Sequence, residues 1–311
     1  MLTVIISLLT IKCGARTTVL SQRWCPLWKS TPLDLIDTPE LCHGYRKSLD
    51  VFSKILGSHL GPTGGLRMGK FHSNGRDRAK LGDWFRSPAL DQLEELTFDE
   101  GHMRSLPRSA LRLTPTLCIA KFRNYHPLNV APALILPRLK HLELVTVCLS
   151  NSDMERLLHG YTALEYLRLQ AINGLSTFHI TSMTLWTIYV CCWFSKKTSQ
   201  DVYHGMVIED TPALERLLVL DQVGPTRINV ISAPKLTVMG YSSDKYSELV
   251  IGSTPVQKMI PTSLTAKLRI VKVLALDSIV PNLEQVVSFL RCFPCMEKLY
   301  IEVLLEDFST Y

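Results

Sequence analysis

The 311-residue sequence has no Asn-x-Ser/Thr acceptor, no run of five cationic side chains and no unbroken apolar stretch of spanning length. The first absence, together with nine cysteines that are odd in number and follow no regular framework, argues for a reducing compartment, the nucleus or cytoplasm. Residues 1–11 imitate a signal-peptide core, but no basic segment precedes them, and Lys12 and Arg16 follow without a cleavage context. The other apolar run, residues 178–194, is broken by His179, Thr181, Ser182, Thr184 and Thr187 and falls short of the roughly 20 residues of a spanning helix. No membrane span is expected.

Catalytic and cofactor signatures are missing too. There is no nucleophile elbow and no His-Glu-x-x-His. Residues 64–70 fit Gly-x-x-x-x-Gly-Lys, but Phe71 stands where a phosphate loop needs a hydroxyl for magnesium, and residues 58–63 read as a turn rather than a buried strand. Cys292-Phe-Pro-Cys295 has half of a zinc-site spacing without a second pair to complete a tetrahedron, so both read as core cysteines. Cys191 and Cys192 lie in an apolar run and read as packing residues. No catalytic residue, metal site or cofactor is assigned, and a non-enzymatic role is expected.

What the sequence does contain is apolar residues, 46% of the chain against 20% charged, with a mean hydropathy of +0.13, which is the composition of a folded protein. Its excess is in leucine: 49 residues, against 16 glycines. The net charge of +6 is uneven, since residues 1–90 hold 13 Lys/Arg and 6 Asp/Glu while the remainder holds 21 and 22. Because the cations are scattered, a solvated basic segment fits them better than a nucleic-acid interface.

The leucines repeat. Apolar-x-x-apolar-x-apolar occurs at Leu93/Leu96/Phe98, Leu117/Ala120/Phe122, Leu139/Leu142/Leu144, Leu164/Leu167/Leu169 and Leu185/Ile188/Val190. It continues at Leu214/Leu217/Val219, Leu236/Met239/Tyr241, Val271/Leu274/Leu276 and Met296/Leu299/Ile301. Successive first positions are 24, 22, 25, 21, 29, 22, 35 and 25 residues apart, which centres on the period of about 20 to 29 residues of leucine-rich repeats. Several copies follow a proline (Pro115, Pro137, Pro212, Pro234, Pro294), a recurrent turn signal. The last two apolar positions alternate as on a short strand. Segments 152–158 and 281–290 have helical apolar spacing, with Ser152 and Glu155 as a capping box, and the 35-residue gap implies an irregular turn near Leu249 to Ile251. Strand plus short helix, repeated, predicts an α/β leucine-rich-repeat solenoid of parallel strands.

Between the apolar strand positions, side chains point to the opposite face and line one continuous wall. They include Glu95 and Thr97, His141 and Glu143, Tyr166 and Arg168, Thr187 and Tyr189, Arg216 and Leu218, and Lys298 and Tyr300. Tyrosine and arginine suit a protein interface, so His141, Glu143, Tyr166, Arg168, Thr187, Tyr189, Arg216, Lys298 and Tyr300 are the candidate partner-binding residues.

Residues 6–33, with the core Val19-Leu20-Ser21-x-Arg23-Trp24-x-x-Leu27-Trp28, resemble the later two-thirds of an F-box from the large plant F-box/leucine-rich-repeat family of FBD type. Further stretches similar to that family are 84–90, 208–218, 231–236, 271–276 and 289–301, so the resemblance spans almost the whole chain. It implies the substrate-recognition subunit of an SCF (Skp, cullin, F-box) ubiquitin ligase: F-box helices dock on a Skp-type adaptor and through it the cullin, while the repeats hold a target protein of unknown identity. The adaptor-binding candidates are then Leu8, Leu9, Val19, Leu20, Trp24, Leu27 and Trp28, divided between packing the motif and meeting the adaptor. The family's opening leucine-proline segment has no counterpart before Met1, and Thr10 replaces the proline that usually follows the leucine pair. Many relatives also continue past the position of Tyr311, so the expectation is a truncated or divergent member. The expected organisation is a partial helical F-box at 1–38, a basic connecting segment at 39–88 and the repeat solenoid at 89–311. The alternative is a repeat module that binds proteins but has lost its coupling to Skp and cullin.

Overall fold

A computed structural model of the chain describes residues 2–37, 45–71, 75–100, 108–124, 136–175, 177–191, 205–220, 226–242, 246–252, 254–257, 260–261, 268–277 and 283–302. Two compact units divide it, Met1–Cys148 and Leu149–Tyr311.

The first unit opens with three short helices, α1 (Leu2–Ser7), α2 (Ile11–Thr17) and α3 (Trp24–Ser30). Five strands follow, β1 (Leu33–Ile36), β2 (Thr63–Phe71), β3 (Glu95–Glu100), β4 (Ile119–Arg123) and β5 (His141–Val145), with α4 (Tyr45–Ser58) and α5 (Gly75–Trp84) as the connections on either side of β2. The strands pair in chain order and all in parallel. The register reproduces the repeat read from the sequence: Leu96 pairs with Ala120 and Ala120 with Leu142, while Phe98 pairs with Phe122 and Phe122 with Leu144. All six are at most 4% exposed.

Two rungs precede the first repeat recognised in the sequence. Leu35 pairs with Leu66, and Leu66 with Leu96, so β1 and β2 extend the same ladder. Strand β2, inside the expected connecting segment 39–88, is thus a rung of this ladder. The phosphate-loop-like stretch 64–70 lies within β2, which pairs with β3 through Phe71 and with β1 as far as Arg67. Trp84, at the end of α5, donates its indole N–H to Ser53 of α4 (2.8 Å), and the Trp84 and Phe52 rings meet at 5.9 Å.

In the second unit, helix α6 (Asn151–Gly160) begins where Ser150 adopts extended dihedrals and its Oγ accepts the Asp153 N–H at 3.1 Å. The cap is thus Ser150 with Asp153, two residues ahead of the expected Ser152 and Glu155. Met154, Leu157 and Leu158 form its buried stripe. Beyond α6, strands go by turns to two sheets. The first sheet takes β6 (Tyr166–Gln170), β8 (Thr187–Cys191), β10 (Arg216–Leu220), β12 (Val238–Ser242), β16 (Val273–Asp277) and β17 (Lys298–Glu302), all parallel. The second takes β7 (Thr177–Thr181), β9 (Gly205–Asp210), β11 (Thr226–Val230) and β13 (Tyr246–Ile251) in parallel, then β14 (Thr254–Gln257) and β15 (Ile260–Pro261) in antiparallel sense. A single further helix, α7 (Leu283–Leu290), is described here, within the expected segment 281–290.

The first sheet carries the repeat leucines in one row: Leu167, Ile188, Leu217, Met239, Leu274 and Leu299 are successive register partners. The second carries a row of its own, Phe178, Met206, Ile228 and Leu249, with Ile180, Ile208, Val230 and Ile251 two residues on. Both rows are buried except at β17, where Leu299 is 36% and Ile301 52% exposed. The repeat position Tyr241 lies outside the described side chains. Short helices were expected between the repeat strands; in this unit strands take most of those places. The reason is local, because Thr-Phe-His-Ile-Thr and Thr-Arg-Ile-Asn-Val alternate with period two and are rich in β-branched residues. The irregular turn expected near Leu249 to Ile251 is strand β13 of the second sheet, followed by a reversal at Gly252 with φ of +59°.

The prolines explain how each rung is entered. Leu139, Leu214, Leu236 and Met296 each donate a backbone N–H to the carbonyl three residues earlier (3.0 to 3.2 Å), with Pro137, Pro212, Pro234 and Pro294 as the second residue of the turn. Proline is favoured there because its fixed φ matches the turn. Strands also end alike: Asn124, Thr146 and Ala171, each the residue after a strand, have φ between 50° and 60°.

Candidate protein-interaction surfaces

The three N-terminal helices are held by small and aromatic residues. Both α1 and α2 pack on α3. A Cβ on Gly14 would sit 2.4 Å from the Trp28 ring, so that ring lies directly on the glycine of α2. On its other side Trp28 meets the His59 ring edge-on at 5.5 Å. The His59 Nε2 stands 2.7 Å from the Thr31 carbonyl, which can only accept, so Nε2 carries the proton. Burial holds His59 below the ordinary histidine pKa, against the smaller opposite pull of that hydrogen bond.

The seven adaptor candidates divide by exposure. Trp24, Leu27 and Trp28 are half-buried on α3, whereas Leu8 (81% exposed), Leu9, Val19 (86%) and Leu20 face solvent in the turns that end α1 and α2. Val4 and Ile5, which the sequence reading passed over, are exposed beside them, while Ile6 turns inward at 1%. A cavity of about 440 Å³ opens at Ile6, Leu8, Leu9, Ile11, Leu33 and Ile36. An exposed apolar group of this extent is uncommon unless something covers it.

On the sheet of the first unit, the wall residues form an ion-pair network. Arg67 grips Glu95 with two bonds, Nε to Oε1 at 3.0 Å and Nη2 to Oε2 at 2.6 Å. Lys121 lies 3.8 Å from Glu95 and 3.6 Å from Glu143, and the His141 Nε2 is 2.7 Å from Glu143. His141 and Glu143 are thus brought together, but Glu143 is only 7% exposed and already engaged. Arg67 and Lys121 are the members that sequence reading missed. Lys121 stood in a recognised repeat and was skipped, and Arg67 belongs to a rung that was not recognised.

The wall of the second unit is built differently. Tyr166, Thr187 and Arg216 are register partners, as are Arg168, Tyr189 and Leu218. The Arg168 guanidinium lies over the Tyr189 ring at 4.6 Å and donates to the Gln170 Oε1 at 2.8 Å. Thr187, expected on the open face, is 4% exposed, because its short side chain lies between the longer Tyr166 and Arg216. Farther along, Val238, Gly240, Val273 and Ala275 are the outward residues of β12 and β16, and all are small or short. A hollow of about 590 Å³ lies over them, bordered by Arg216, Leu218, Lys298 and Tyr300. The sequence signal for it was legible: two adjacent repeats have the smallest residues at the second outward position.

Among the described residues no group of three or more His, Cys, Asp or Glu side chains is arranged to hold a metal, and no helix is long and apolar enough to cross a membrane. Cys292 is buried, which pushes its thiol pKa up, and Cys295 is exposed; both are free. None of the curated proteins matches the chain. A family model described as "FBD-associated F-box protein At5g56370, LRR repeats" matches residues 81–301, the stretch in which β3 to β17 carry the repeat ladder. The match takes in well over half of the 311 residues, and the chain therefore belongs to the leucine-rich-repeat family of FBD-associated F-box proteins.

Proposed function

We propose that this chain is a substrate receptor of an SCF-type ubiquitin ligase, docking on a Skp-type adaptor and its cullin through residues 1–38 and presenting the repeat wall to a target protein. The observation that carries the reading is the exposed apolar group Val4, Ile5, Leu8, Leu9, Val19 and Leu20, on α1 and in the turns that end α1 and α2, ahead of the repeats of an F-box family member. Burying such side chains against a partner is favourable by about 25 cal/mol per Å². Trp24, Leu27 and Trp28 then pack the motif, Leu8, Leu9, Val19 and Leu20 meet the adaptor, and the wall residues of residues 89–311 select the target. The reading needs no cofactor and gives the chain no catalytic step of its own. Free thiols at Cys13, Cys25 and Cys118 support a nuclear or cytoplasmic setting.

The test is capture of a purified Skp adaptor by the full chain. Native protein retains the adaptor, and Leu8→Asp combined with Leu20→Asp weakens retention at least tenfold with an unchanged circular-dichroism spectrum, since neither side chain supports the core. If a folded native chain captures no adaptor, while a version extended by a leucine-proline helix does, the chain is a protein-binding repeat module without ligase coupling.

A further inference from the structure

The two walls differ in what they leave unsatisfied. In the first unit, Arg67, Lys121 and His141 already face Glu95 and Glu143, so a partner would have to displace existing ion pairs. In the second, among the described residues, Arg168, Arg216 and Lys298 have no carboxylate partner, and none of those that border the hollow over Gly240 and Ala275 is acidic.

The hollow's shape follows from the register. Arg216, Val238, Val273 and Lys298 form one row across four strands, so the two cations stand three strand spacings apart, about 14 Å. Two residues further along their strands come Leu218 beside Gly240 and Ala275 beside Tyr300, with the β12–β16 pairing irregular between Met239 and Ser242. The middle pair supplies almost no side chain, and Leu218 already reaches over Gly240, where an added Cβ would meet its Cδ2 at 2.4 Å. The result is an apolar slot between Leu218 and Tyr300, beside the row of Val238 and Val273 that carries a cation at each end. Tyr300 is 58% exposed and borders the hollow.

We infer that this slot holds an extended acidic segment of the target protein with the pattern acidic-x-apolar-x-acidic, laid across the strands. This deepens the reading of the wall as the target-binding surface and rests on it. The spacing is the argument. In an extended chain, residues i and i+4 lie about 13 Å apart on one side, which matches the distance between the two cations, and residue i+2 falls midway on that same side. An acidic side chain at each end meets Arg216 or Lys298, and the large apolar side chain between them enters the slot beside Tyr300. Arg168, one strand beyond Tyr189, adds to the positive field without contacting the five-residue core.

The probe is a fluorescein-labelled peptide, Gly-Gly-Asp-Ser-Phe-Ser-Asp-Gly-Gly, titrated with the full chain and followed by fluorescence anisotropy. The expected result is binding at least tenfold tighter than to the same residues ordered Gly-Gly-Asp-Asp-Phe-Ser-Ser-Gly-Gly, weakening several-fold when sodium chloride is raised to about 0.5 M. Arg216→Glu with Lys298→Glu abolishes the preference, and Ala275→Phe, which fills the slot, lowers affinity at least tenfold. Arg86→Glu, on the other unit, leaves it unchanged. Equal affinity for the two peptides, or full affinity in a folded Ala275→Phe protein, overturns the inference. Adaptor capture is read separately, so a chain that binds the adaptor but does not distinguish the peptides refutes the slot while leaving the ligase reading intact.

Discussion

His59, the residue after α4, is tied to α3 and to its cap residue Thr31. Its ring edge meets Trp28, its Nε2–H is committed to the Thr31 carbonyl, and it is 6% exposed. Because burial keeps its folded-state pKa below the ordinary value, the unfolded chain binds the proton more readily. Its contribution is therefore complete above about pH 6.5 and is lost as pH falls through the lower folded-state value. His59→Gln keeps a donor for Thr31 and removes the titration. The expected outcome is a urea midpoint that changes less between pH 7.5 and 5 than that of the native protein. None of this was legible in the sequence, where His59 follows a helix and precedes a turn with nothing to pair it with Thr31, 28 positions away.

At the scale of elements, the rungs from β3 onward were legible but β1 and β2 were not, and of the segments between rungs only those that form α6 and α7 could be read. A rung shows itself because each one needs the same three buried side chains in the same order, and the register aligns them pair by pair. The returning segment has only to bury one apolar face, which a helix such as α6 does with period 3.6 and a strand such as β7 with period two. Residues 177–181 therefore had to be judged on their own alternation rather than by analogy with their neighbour. Caps also belong to this scale. Ser150 and Ser152 are both plausible starts for α6, and only the backbone dihedrals decide for Ser150. Ser150→Ala is expected to cost about 1 kcal/mol by chemical denaturation, and Ser152→Ala much less. As for the interaction surfaces, the outward positions could be read from the repeat, but the pairing that neutralises one wall and leaves the other charged depends on neighbours 22 to 28 residues apart.

For the whole molecule, repeat stacking means that the value of a leucine depends on its rung. Leu217 lies between partners on both sides and is 1% exposed, whereas Leu299, on the last described strand, is 36% exposed. Leu217→Ala is expected to destabilise by about 2 to 5 kcal/mol and Leu299→Ala by under about 1 kcal/mol, a contrast that equilibrium urea unfolding of the two variants would reveal. The spacing of the repeats carries a further consequence. Rungs 21 and 29 residues apart pair without a shift in register, so the surplus residues between them are accommodated outside the ladder, in the segments that lead back to it. Such a chain counts rungs rather than residues. It tolerates insertions and deletions between proline turns, and it can lengthen the returning segments without moving a single side chain of the wall.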